Sequence, residues 1–173
     1  MNRNTARKAA FFKQRQKPQR GFSLIELLIV VAIILIIAAI AIPNLLRSRM
    51  AANEAGAVES VRTLVTGETS YAAACPDTGY SASIQELNTG AICAGGKNTI
   101  DDVLGASDPS FKSGYKFTYV PSAFNGVNIQ FTVVALPTAL GVSGQRGFFS
   151  DQTGVIRYTL NGTAPSPTSS ALQ

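Results

Sequence analysis

The chain has 173 residues, two cysteines and no histidine, which excludes Ser-His-Asp and Cys-His catalysis and most catalytic zinc sites. Its formal charge of +5 and pI near 9.5 would suit a nucleic-acid or anionic-membrane partner only if the charge were spread over a folded surface. It is not: Arg3, Arg7, Lys8, Lys13, Arg15, Lys17 and Arg20 precede residue 22 with no acid among them, and the remainder holds eight basic and ten acidic residues, a net charge of −2.

No direct nucleic-acid binding is therefore expected, and the length suits one modest domain with an appendage outside its core. After the basic segment come Gly21-Phe22-Ser23-Leu24-Ile25-Glu26, sixteen consecutive apolar residues from Leu27 to Ile42, and Pro43. As a helix, Phe22 to Ile42 extends about 32 Å at roughly 1.5 Å per residue, matching a hydrocarbon core about 30 Å thick. The run is apolar on every side, so a domain of this size could hardly enclose it. Basic residues on the amino-terminal side predict that this side stays cytoplasmic and that everything after Pro43 crosses the membrane.

A carboxylate in such a helix costs about 2.5–3.5 kcal/mol on insertion scales, so Glu26 needs a partner. Pro43 removes a backbone donor and clashes with the preceding turn, which predicts a bend or local opening where the apolar run ends. The basic segment, the small residue Gly21, Phe22, Glu26 and the apolar run stand in an order that resembles the processing site of type IV prepilins and type II secretion pseudopilins, over roughly residues 15 to 50.

That resemblance implies a leader, residues 1–21, removed between Gly21 and Phe22 by a prepilin peptidase that also methylates the new amino terminus. It implies a transmembrane and assembly half, 22–43, an amphipathic half, 44–74, and a globular head, 75–173. The fold implied is α+β and pilin-like: a long amino-terminal helix on a small antiparallel sheet. The new cation at Phe22 supplies the partner Glu26 lacks, on a neighbouring copy, and in apolar surroundings that attraction fixes axial register. The implied partners are further copies of the chain in a helical filament, the peptidase/methyltransferase, an inner-membrane platform protein and an assembly ATPase. The implied locations are the bacterial inner membrane, with the head periplasmic, and then an extracellular pilus or periplasmic pseudopilus.

Beyond Pro43, apolar residues recur at Leu46, Met50, Ala51, Ala55, Val58, Val61, Leu64, Val65 and Tyr71, an amphipathic pattern that leaves Glu54 and Glu68 off the stripe. Gly56 and Gly67 read as weak points of this helix. Cys75 and Cys93 lie in a Pro-, Gly- and Ser-rich stretch with little apolar content, and are expected to pair, as exported proteins allow. A loop is expected from Cys75 to about Pro109, interrupted by a short helix at the capping box Ser83-Ile84-Gln85-Glu86.

After Ser113 the period becomes two, with Tyr115, Phe117 and Tyr119 alternating with polar residues. Further strands are expected at Val127–Leu136, 145–150 and 155–160, with turns at Asn125-Gly126 and over 151–154. The segment 144–158 resembles the carboxy-terminal hairpin of small bacterial pilins, and residues from Ala164 on read as a mobile Pro- and Ser-rich tail.

No cofactor or metal is expected, and nothing suggests an enzyme. Gly96-Lys97 lacks phosphate-loop spacing, Asp101, Asp102 and Asp108 lack EF-hand spacing, and Asn161-Gly162-Thr163 is a bare sequon. The leading expectation is a type IV pilus subunit. A pseudopilin or minor pilin stays open. So does a soluble exported binding protein cut near Ala39-Ile40-Ala41 by an ordinary signal peptidase; an anchored periplasmic enzyme is disfavoured by Glu26 and the missing catalytic set.

Overall fold

The structure, a computed structural model, describes residues 21–89 and 99–172. Two helices, α1 (Leu24–Ala74) and α2 (Ile84–Thr89), precede six strands. These are β1 (Ser110–Lys112), β2 (Tyr115–Phe124), β3 (Val127–Pro137), β4 (Gly147–Asp151), β5 (Arg157–Thr159) and β6 (Ser170–Ala171). The chain divides into two compact units, Met1–Ile40 and Ala41–Gln173.

In the second unit the strands form one sheet in the order β1-β2-β3-β4-β5-β6, each antiparallel to the next. Sequential antiparallel pairing needs only short turns, and the longest pair, β2 with β3, closes through Asn125-Gly126. Both turn residues have positive φ, 51° and 85°, the backbone that matches the twist of a two-residue hairpin. The expected α+β arrangement, a long helix and a small antiparallel sheet, is what the chain adopts.

Alternation sorts the β2 side chains: Tyr115, Phe117 and Tyr119 are buried, while Lys116, Thr118 and Val120 are exposed. On β3 the inward set is Phe131, Val133 and Ala135, and on β4 Phe148 joins it. These meet Ala57, Val61, Leu64 and Tyr71 of α1, Ile84 and Leu87 of α2, and Ile100 and Leu104. Tyr119 stacks on Phe131 at 5.8 Å, and Tyr80 meets the same ring edge-on at 4.7 Å.

The buried line of α1 differs from the expected stripe. It runs Glu54, Ala57, Ser60, Val61, Leu64, Gly67, Glu68 and Tyr71, while Leu46, Ala51 and Ala55 are exposed and Val58 and Val65 flank it half-buried. The glycines of this helix leave room for side chains from neighbouring loops. A Cβ at Gly56 would sit 2.9 Å from Ser113 Oγ, and one at Gly67 would sit 3.1 Å from Thr99 Oγ1. The two glycines that read as helix weaknesses are points of close approach.

Two carboxylates on that buried line are satisfied. Glu54 Oε1 accepts the amides of Gln145 (2.8 Å) and Arg146 (3.2 Å), and its Oε2 accepts Arg146 Nε at 2.7 Å. The Arg146 guanidinium also lies 5.6 Å from the Phe148 ring centre and 5.8 Å from that of Tyr158. One turn's neighbour, Asn53, donates to the Ser143 carbonyl at 3.0 Å. Glu68 accepts the Ser81 amide (2.9 Å) and hydroxyl (2.6 Å), and Tyr119 donates its hydroxyl to the Ser81 carbonyl at 2.9 Å. Thus one acid clasps the segment before β4 and the other clasps the segment before α2.

The strand limits shift for local reasons. The β4 ladder starts at Gly147 rather than residue 145 because the Gln145 and Arg146 amides are taken by Glu54. β1 falls between the expected loop and strand, since three residues are too few to show a period. The carboxy-terminal segment is the larger correction. Pro165 is buried, Ser170 and Ala171 pair with Tyr158 and Arg157, Leu172 donates to the Ile156 carbonyl at 2.8 Å, and Arg157 Nη1 donates to the Ser169 carbonyl at 2.9 Å. Its composition is loop-like, but tertiary pairing orders it.

The capping box forms in altered shape: Ser83 Oγ accepts the Glu86 amide at 3.4 Å, but the Glu86 carboxylate takes the Ala82 amide at 2.8 Å. At the sheet edge, β1 covers only Tyr115–Phe117 of β2, so Thr118 to Phe124, including Pro121, has no strand beyond it among the described residues.

The two clasps titrate in opposite senses. Burial works against the charged form of Glu54, but the Gln145 amide and the Arg146 side chain and amide outweigh it and hold the carboxyl below its ordinary value. For Glu68 burial dominates over the Ser81 and Tyr119 hydrogen bonds and raises the carboxyl above it. A depressed carboxylate contributes stability above its unfolded value and loses it as pH falls through the folded one. A raised carboxyl does the reverse: its contribution is complete below the unfolded value and is lost as pH rises through the folded one.

Two outcomes are expected for the detergent-solubilised full chain. Glu54→Ala should lower unfolding stability by roughly 2–3 kcal/mol at pH 7, the scale of hydrogen bonds to a charged group. The loss should shrink on acidification. Glu68→Gln should gain stability relative to the parent as pH rises from about 4 to 7.5, because only the parent must bury a charge there. A difference between these two proteins that is flat with pH contradicts the assignment.

Candidate functional site

The polar residues at the amino-terminal end of the apolar run sit where the helix begins. Gly21, Phe22 and Ser23 precede α1, and the Ser23 carbonyl accepts the amides of Glu26 (3.1 Å) and Leu27 (3.2 Å). This sets the first turn and places Glu26 within it, where unpaired N–H groups and the helix dipole favour negative charge. Phe22 lies one turn away and is 70% exposed.

A Cβ at Gly21 would meet nothing within 4 Å, and its φ is not positive. The fold of this chain therefore does not require glycine there.

From Leu24 to Ile42 every residue but Ala38 is exposed, including Leu24 at 81%. α1 is long and apolar enough to cross a membrane, and none of that apolar window is buried within the chain. A soluble helix would bury a stripe; this segment buries none, and Glu26 is its one polar side chain. Pro43 lies inside α1, which continues on both sides of it. The Ala39 carbonyl thereby loses its helical donor, the local weakening expected of proline.

The head carries no comparable constellation. Cys75 is buried and closes α1: its amide donates to the Tyr71 carbonyl, and its carbonyl accepts Thr78 and Gly79. Cys93, like Gly96-Lys97 and residues 1–20, lies outside the described residues. Asp101 is committed internally, taking the amides of Val103 and Leu104 at 3.1 Å each and pairing with Lys112 Nζ at 2.7 Å. Desolvation raises its carboxyl, but Lys112 and the two amides win and keep it below its ordinary value. Asp108 accepts the Ile84 amide at 3.4 Å. Among the described residues no three acids, cysteines or histidines converge as a metal site. Asn161 sits in an exposed turn with φ of 59°.

The residues missed by the sequence reading are Glu54 and Glu68. A signal was available: Glu54, Ala57, Val61, Leu64, Glu68 and Tyr71 recur every three or four residues, a cleaner line than the apolar one. It was invisible to a reading that places charge on the solvent side.

One comparison with known proteins, the family-model match, falls on the same amino-terminal segment. Residues 16–42 match the family model described as the prokaryotic N-terminal methylation motif. The type IV major pilin protein PilA of Myxococcus xanthus is 48% identical over 52 residues, covering 30% of this chain and 24% of that protein. The type IV wide pilus major component PilA4 of Thermus thermophilus is 66% identical over 35 residues, covering 20% of this chain and 27% of that one. The chain thus spans about a quarter of the length of these curated relatives. No solved structure matches. The chain therefore carries a methylation motif at the start of an apolar helix that the described residues leave exposed, and over part of its length it is similar to type IV major pilins.

Proposed function

We propose that the chain is the structural subunit of a type IV pilus, held in the inner membrane by α1 as a precursor and then polymerised through that helix. One observation carries the reading: an apolar helix that the chain does not cover begins two residues after Phe22, carries Glu26 in its first turn, and falls within the methylation motif. Both relatives named above are major pilins, which favours this role over a pseudopilin or an exported binding protein.

In this reading residues 1–21 are a leader, cut between Gly21 and Phe22 by a prepilin peptidase that then methylates the Phe22 amine. Residues 22–43 are the membrane and assembly half of the helix, 44–74 its amphipathic half, and 75–173 the head, facing the periplasm. Before cleavage Glu26 is a lone carboxylate in an apolar segment. After cleavage the Phe22 ammonium of a neighbouring copy can reach it, and water exclusion strengthens that pair. A slipped neighbour leaves both charges unpaired, so the pair selects one register.

Pro43 loosens the helix at the boundary of the two halves, which lets the head adjust as the apolar half moves from lipid into a bundle. Lipid shelters the helix as well as the bundle does, so extraction needs work from outside, here assigned to an assembly ATPase and an inner-membrane platform protein. Cys75 and Cys93 are proposed to form a disulfide across the loop after α1, stabilising a segment with little apolar content.

Mass spectrometry of the mature chain should find a methylated Phe22 start; a start at Ile42 overturns the reading in favour of ordinary signal cleavage. Gly21→Leu should leave the head folded and the leader attached, since a side chain there meets nothing in the chain itself. Glu26→Ala should be processed yet yield few filaments, and sheared filaments at parental yield would refute the role given to Glu26.

A further inference from the structure

The unit Ala41–Gln173 separates its charges along α1. No acid occurs between Asp108 and Asp151, and no basic residue between Arg62 and Lys97. Arg47 and Arg49 are exposed near the start of this unit's helix, and the loop carrying Leu140 and Val142 is fastened beside them by the bonds that Asn53 donates to the Ser143 carbonyl and the Gln145 amide donates to Glu54. Asp77 is exposed just beyond the other end of α1. There the β2–β3 hairpin is fastened by backbone bonds of 2.9 Å joining Asn128 to Thr78 and Tyr80. The helix between Arg49 and Ala74 separates the two ends by about 38 Å at 1.5 Å per residue.

Each end also exposes large apolar side chains. At the basic end Leu140 and Val142 are 57% and 67% exposed; at the acidic end Phe124 and Ile129 are 65% and 50% exposed. None of the ion pairs among the described residues involves Arg47, Arg49 or Asp77. Both ends thus pair bare apolar area with unneutralised charge of opposite sign.

We propose that this unit docks end to end on a second copy of the chain, Arg47, Arg49, Leu140 and Val142 of one copy meeting Asp77, Phe124 and Ile129 of the next. The charges select the occupant. A two-fold pairing of like ends would set arginine against arginine, or Asp77 and Glu86 against the same acids, whereas the unlike ends attract. A contact between two different surfaces leaves a free end of each kind on every pair, so it can continue from copy to copy as an open helical array wherever the rotation between copies does not close a ring. The inference rests on the filament reading but adds to it a contact that the apolar half of α1 does not make. It gives the head its own share in choosing which copies adjoin.

The test uses the full-length precursor in cells that assemble it, scoring mature mass and the yield of sheared filaments separately. R47E/R49E should be processed normally and lose roughly tenfold or more of filament yield, as like charges then meet across the contact. D77R alone should show a similar loss, and the R47E/R49E/D77R combination should recover most of it, because coupled residues are not additive. A photoreactive phenylalanine analogue at Phe124 should cross-link to the Leu140–Val142 loop of another copy in sheared filaments. Filaments of R47E/R49E at parental yield, or cross-links only to lipid or to other surfaces, overturn the proposal. If the parent itself forms no filaments, the pilus reading has failed, and not this contact alone.

Discussion

An apolar helix that its own chain cannot cover is the constraint from which the rest follows. Leu24 to Ile42 offers hydrocarbon on all sides, so in water it would cost far more than the modest stability of a small domain. It must lie in lipid or against other helices. Neither setting prefers one depth or rotation of a featureless rod, and the proposed filament needs both fixed. In that proposal Glu26 breaks the degeneracy, since a charge in hydrocarbon is tolerated only where its counter-charge is.

The second half of α1 solves a different problem. It must be one continuous helix with the first half yet serve as the floor of a soluble core. Small residues at Ala57, Ser60 and Gly67 let the sheet and loops come close, and Glu54 and Glu68 reach out to backbone amides that would otherwise lie buried and unpaired. The segments before α2 and before β4 are thereby tied to α1 by carboxylates of opposite acid–base behaviour. A helix shared between lipid and water cannot rely on one wide greasy stripe for the head, because such a stripe would compete for the bilayer. Polar clasps avoid that competition.

Much of this was legible in the sequence, and the exceptions have physical causes. The apolar run, Glu26, Pro43, the period-two strands and the Asn125-Gly126 turn are local signals, carried by residues next to one another. The clasps of Glu54 and Glu68 were misread because their partners lie 91 and 13 residues away, and nothing in a helical wheel marks a charge as satisfied. Gly56 and Gly67 were misread for the same reason: the atoms that demand glycine, at Ser113 and Thr99, are distant in sequence. The carboxy-terminal strand escaped because two residues carry no period, and it exists only because β5 offers an edge.

Among the described residues that short β1 leaves most of β2 without a neighbouring strand, which matters for a molecule proposed to pack against many copies of itself. A bare strand edge in a crowd of identical chains is the template from which amyloid-type ladders grow. Here Pro121 withholds a donor in the middle of the bare stretch, and the register shift between Ser122 and Ala123 breaks its regularity. Backbone-to-backbone stacking is thereby denied a straight rail, and self-association is left to surfaces that carry side-chain information.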